Sequence, residues 1–191
     1  MKKRLQSSRG ATMIESAIIT PVLLLFILGI FEFGLAFQNY LGVANTVQDA
    51  AREATVASDN ENADWRILLA AQRGAAALDD GFEQIVIFYA DDPSDVVPPA
   101  CLTASQADLC NRYTPSDFDK LEAEFGCLTP GLVDDPWCPQ DRNAVLDLGA
   151  GVTPDFIGVY VRTTHDYITG LFGDSIVLED QIVLRIEPQG T

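Results

Sequence analysis

Apolar residues follow one spacing near the N-terminus and others beyond it. From Ser16 to Phe31 sixteen residues carry no charge, and the apolar stretch reaches from Ile14 to Leu35, twenty-two residues interrupted only by Glu15 and Glu32. About 20 predominantly apolar helical residues cross a bilayer core, so this segment is long enough to span one. After Gln38 the pattern becomes amphipathic. Leu41, Ala44, Val47, Ala51 and Ala54 recur at three- and four-residue steps, with Gln48, Asp49, Arg52 and Glu53 on the other face. Taken as one element from Thr12 to Ala57, this helix has 46 residues and a length of about 69 Å. Pro21 removes a backbone donor and predicts a kink or local opening. Gly29 and Gly34 are small positions that permit close helix approach. Glu32 lies eighteen residues beyond Ile14, about 27 Å along the helix. There it is either a solvated boundary residue or a packing residue.

A second helix is expected over Ala63–Leu78, capped by Asn62 or Asn60 and ended by Asp79-Asp80-Gly81. Its buried stripe is Ile67, Leu68, Ala71, Ala75 and Leu78, with Gly74 weakening it slightly. The period then falls to two. Residues 83–90 are β-branched and aromatic and read as a strand. Ile157, Val159, Val161 and Thr163 share one face of a second strand. Ile176, Leu178, Ile182, Leu184 and Ile186 share one face of a third, broken by Asp180. The connector YITGLFGDS is turn-like, so the last two strands form an antiparallel hairpin. Leu171 and Phe172 in that turn either pack under the sheet or form an apolar tip facing a partner or the membrane. Residues 91–150 are rich in Asp and Pro, show little periodicity and read as an insertion, with a short helix over Asp117–Gly126. The fold class is α+β: a long N-terminal transmembrane and amphipathic helix, a second helix, and a three-stranded antiparallel sheet carrying the insertion.

Charge sharpens this division. Residues 1–37 hold four basic and two acidic groups, and the rest hold eight and 26, against totals of 12 and 28. So acidic a domain repels phosphates, and nucleic-acid binding is not expected. Cys101, Cys110, Cys127 and Cys138 all fall in the insertion. An even number in an exported domain predicts two disulfides that staple it. Of three possible pairings, Cys101–Cys110 and Cys127–Cys138 close the shortest loops. Their separations of nine, seventeen and eleven do not resemble the tight pairs of a zinc site.

The leader MKKRLQSSRG is basic, and basic residues are scarce just after the span, which puts the N-terminus in the cytoplasm and the acidic domain outside. Three readings of this region are open. A cleaved secretory signal would end at Gly34-Leu35-Ala36, although its apolar run exceeds the usual length of about 7–15 residues. An uncleaved anchor is the second. The third is a prepilin-type leader cut after Gly10, which makes Ala11 the new N-terminus and Glu15 the fifth mature residue. A carboxylate at the edge of a bilayer core is costly alone. Pairing Glu15 with the free α-amino group of a neighbouring subunit would offset part of that cost and fix axial register. Without such a partner Glu15 sits in the headgroup region.

The run RGATMIESAIITPVLLLFILGIFEFG, followed by AARE at residues 50–53, resembles the TadE-like family. These are pseudopilin-type proteins of tight-adherence (Flp, type IVc) pilus systems. The resemblance covers residues 9 to 53. It rests on Gly10, Glu15, Pro21, the stretch from Gly29 through Glu32 to Gly34, and Ala50 to Glu53. Ser16 stands where family members commonly have a larger residue. The resemblance implies a minor pilin or pseudopilin, exported through the inner membrane and cut by a prepilin peptidase. Its partners would be other pilins or pseudopilins, the pilus assembly platform and membrane lipid. The expected organisation is a leader (1–10), a transmembrane helix (11–37) and an extracytoplasmic pilin-like domain (38–191) with its insertion (91–150). A permanently anchored surface-binding module, outside any pilus, is the alternative.

Candidate chemistry is sparse. No G-x-S-x-G, Walker A, G-x-G-x-x-G or H-E-x-x-H pattern occurs, and the lone His165 alternates with Thr163 and Val161 as a structural strand residue. Neither enzymatic activity nor a cofactor is expected. Asp134, Asp135, Asp141 and Asn143, or Asp91, Asp92 and Asp95, offer oxygen ligands for calcium. Their order is not that of an EF-hand loop, and they read as turn residues beside proline.

Overall fold

The structure, a computed structural model, describes residues 8–57, 59–75 and 82–188. The start of the basic leader, Leu78 and the Asp79-Asp80-Gly81 turn lie outside these residues. The elements are α1 (Ser8–Ala57), α2 (Ala63–Gly74), β1 (Gln84–Ala90), β2 (Cys110–Tyr113), β3 (Phe156–Asp166) and β4 (Ser175–Arg185). The α+β plan holds, with one correction. The sheet has four strands in the order β2-β1-β3-β4, all neighbours antiparallel. The added strand lies inside the insertion. It is four residues long, and its side chains face two different buried layers, so no period-two alternation marks it. Two 3-10 turns, Pro115–Asp117 and Glu122–Glu124, replace the helix expected over Asp117–Gly126.

The sheet is covered on both faces. On one side Ile85, Ile87, Ile157, Val159, Val161 and Tyr113 pack against α1 and α2. On the other, Val86, Phe88, Ala90 and Tyr160 pack against Val97 and the Cys101–Cys110 bridge. That two-sided burial explains why β1 reads as a continuous apolar run. At its centre Phe88 pairs with Gly158, where a Cβ would come within 2.1 Å of the phenyl ring.

Helix α1 is continuous through Pro21, and its C-terminal half packs on α2, β3 and β4. The packed stripe keeps Val47, Ala51 and Ala54 of the one expected and loses two members, since Leu41 is exposed and Ala44 half-buried. It also runs through Glu32, Ala36, Asn39, Val43, Ala50 and Ala57. Small residues, rather than the largest apolar one, mark the contact because the backbones approach closely. Gly74 serves the same approach: a Cβ there would lie 2.8 Å from the Thr46 Cα. Neither expected asparagine caps α2 through its side chain. Asn62 Nδ2 donates to Glu122, and Asn60 Nδ2 donates to the Ala57 carbonyl at the end of α1.

Candidate functional site

The N-terminal half of α1 is bare. Met13, Ile18, Leu24, Phe26 and Phe31 all stand exposed, with Met13 75% and Phe26 67% accessible. The helix from Thr12 is long and apolar enough to cross a membrane, and its most apolar window is only 11% buried within the chain. Gly10, Glu15 and Pro21 lie on this bare part, and Ala11 lies within the same helix. Gly34 faces open space, so its small surface is available to another helix. Gly29 does not: its backbone is covered by the Phe172 ring, 3.3 Å from where a Cβ would stand.

That ring belongs to the β3–β4 turn, which does not tuck under the sheet. It descends along α1, with the Phe172 and Phe33 ring centroids 4.7 Å apart. Leu171 and Phe172 are 45% and 49% exposed. Above them Glu32 is 1% exposed. Its carboxylate accepts the Thr169 N–H at 3.1 Å and the Thr169 hydroxyl at 2.5 Å. Glu32 is therefore a packing residue that latches the hairpin onto the helix. Seven residues further along the stripe, Asn39 Nδ2 lies 2.7 Å from His165 Nδ1, both buried. Thr46, seven residues on again, meets Gly74. The heptad spacing of these three polar residues was the available clue, since positions seven apart share a helix face.

The insertion is held by Cys101–Cys110 and Cys127–Cys138, and by a buried polar cluster. Asp64 at the start of α2 and Arg142 are both fully buried and lie 2.6 Å apart. Asp64 also accepts hydrogen bonds from Asn111 Nδ2 (2.9 Å) and Arg142 Nη2 (2.8 Å). The Tyr113 hydroxyl stands 2.6 Å from Asp64 and 2.6 Å from Asp134. Asp134 further accepts the Gly126 N–H at 2.7 Å. Burial, and then the charge of Asp64, push the Asp134 carboxyl up to about 7. Burial and the two carboxylates also raise the Tyr113 phenol. The Arg142 guanidinium stacks 4.2 Å over the Trp137 ring, whose backbone exchanges hydrogen bonds with Asn111. Members drawn from residues 64 to 142 share no local spacing, which kept the cluster out of sight in the sequence.

The other acidic candidates are turn residues. Asp95 accepts the N–H groups of Asp91 and Asp92, and Asp92 accepts that of Ser94. Asn143 bonds Val145 and Thr153. Among the described residues no three His, Cys, Asp or Glu side chains converge as a metal site would require.

The family model for TadE-like proteins matches residues 10–52. This is the bare half of α1 together with most of its packed half, and it agrees with the resemblance read from the motif. No curated protein and no solved structure matches the chain.

Proposed function

We propose, on the premise that residues 10–52 are a TadE-like segment, that this chain is a membrane-anchored minor pilin or pseudopilin of a tight-adherence pilus. The observation that carries this reading is the bare apolar half of α1, continuous with the core of a folded domain. Apolar side chains so exposed need lipid or other helices around them. In this reading residues 11–37 cross the inner membrane, residues 38–191 lie on its outer side, and a prepilin peptidase cuts between Gly10 and Ala11. The α-amino group so released pairs with Glu15 of a neighbouring pilin and sets the axial register of packed helices. The role is structural, in assembly, and not enzymatic.

Intact mass and N-terminal sequencing of the protein from native membranes test the processing step. A chain beginning at Ala11 is expected. A chain beginning at Met1 would favour the alternative, a permanently anchored surface-binding module. Glu15→Ala is expected to lower co-purification with partner pilins severalfold while membrane insertion is kept. Unchanged co-purification would refute the ion pair.

A further inference from the structure

The turn between β3 and β4 has an unusual composition for a loop. Between Asp166 and Asp174 lie seven residues, Tyr167 to Gly173, without a charge. Ile168 is 70% exposed, and Leu171 and Phe172 stand about half exposed beside it. These side chains do not face open water beside a polar surface. With Val22, Leu25 and Phe26 of α1, Leu171 and Phe172 line one open apolar groove, continuous with the bare helix.

We infer that this hairpin tip is a second membrane-contacting element, seated among the acyl chains of the outer leaflet beside α1. The inference rests on the membrane-spanning reading of α1 and adds a contact which that reading does not require. Three observations carry it. The first is depth. Counted from Ile14, a span of about 20 residues ends near Phe33. Phe172 covers Gly29, and the groove reaches down to Val22. These positions lie about 6 to 16 Å inside that boundary at the helical rise. The second is hydrogen bonding. Irregular backbone in hydrocarbon costs less as more of its polar groups are satisfied from within the protein. Three of the turn's N–H groups are: that of Tyr167 donates to the Asp174 carbonyl, that of Thr169 to Glu32, and that of Leu171 to the Thr169 hydroxyl. The third is the charge boundary. Asp166 and Asp174 sit on the same side of the tip, and Tyr167 beside them suits the headgroup level, where aromatic rings with a polar end collect. Glu32, one residue inside that boundary, has its carboxylate answered by the same turn.

The test uses the full-length protein in phosphatidylcholine vesicles whose acyl chains carry bromine at positions spread from the headgroup end to the methyl end. Phe172→Trp, Leu24→Trp and Leu148→Trp are each read against the emission of native Trp65 and Trp137. Leu148 is 81% exposed on the insertion and reports water; Leu24 reports the span. If the tip lies in hydrocarbon, bromine lowers the emission added at positions 172 and 24 about twofold or more, and leaves that added at 148 unchanged. Quenching at 24 with red-shifted, unquenched emission at 172 would overturn the tip insertion and leave the span intact. Blue-shifted but unquenched emission at 172 would mean that protein, such as a second copy, covers the tip, and would overturn it too. No quenching at 24 would refute the membrane-spanning reading itself, and the inference would fall with it.

Discussion

Tyr113 has one hydroxyl proton and two carboxylates 2.6 Å away, so both contacts are hydrogen bonds only when one carboxyl is protonated. Asp64 takes the guanidinium of Arg142, and Asp134 takes the proton. The chain of donors then runs from Asp134 through Tyr113 to Asp64. The sign of the pH dependence follows. An aspartate ordinarily near 3.8 that is raised to about 7 on folding takes up a proton between those values. Its contribution to stability is complete in acid and is lost as pH rises through about 7. The thermal midpoint of the full-length protein should therefore fall from pH ~5 to pH ~8, and Asp134→Asn should flatten that slope. An equally steep slope in the variant would assign the titration elsewhere. Removing the cation is harsher. Arg142→Ala strands Asp64 in a dry site and should cost about 3–5 kcal/mol in denaturant unfolding, as broken buried pairs do. Thr169→Val should speed amide exchange at Thr169 and Leu171, because it removes the hydroxyl that donates to Glu32 and accepts from the Leu171 N–H.

Close approach governs how the helices and strands meet. At Gly158 an added methyl has no room against the Phe88 ring, and at Gly74 none against the α1 backbone. Gly158→Ala and Gly74→Ala should each lower stability by about 1–3 kcal/mol, the usual cost of overpacking. A cost near zero at either position would mean that the layers part easily. The same crowding explains what could be read beforehand. Helix α1, β1 and the β3–β4 hairpin declared themselves because their apolar patterns are long and regular. Strand β2 did not, being four residues whose Asn111 and Tyr113 face the polar cluster while Cys110 faces the opposite layer. The α1 stripe was legible at Val47, Ala51 and Ala54, whereas Leu41 is exposed and Ala44 only half-buried. Glu32 stood in view as a motif residue, but its partner Thr169 lies 137 positions away, and no local spacing connects them.

The insertion is stapled within itself by two bridges, while one edge strand and one charged cluster tie it to the scaffold. Each bridge closes a short loop, with separations of 9 and 11 residues, and such loops stabilise by about 2–3 kcal/mol each. Reduction should expose residues 91–150 to protease well before the rest of the domain is cut. Simultaneous loss of the whole domain would show that insertion and scaffold unfold as one unit. The long helix has a different consequence. Because α1 runs 50 residues from the bare end into the core as a single element, no swivel separates its two halves, and the direction the domain faces is a matter of helical phase. One alanine added between Glu15 and Pro21 turns Glu15 by about 100° relative to the acidic domain, and four return it to within about 40°. In an assembly built on packed helices, the single insertion should therefore be the more damaging of the two, and co-purification with partner pilins should recover as the added length approaches a full turn.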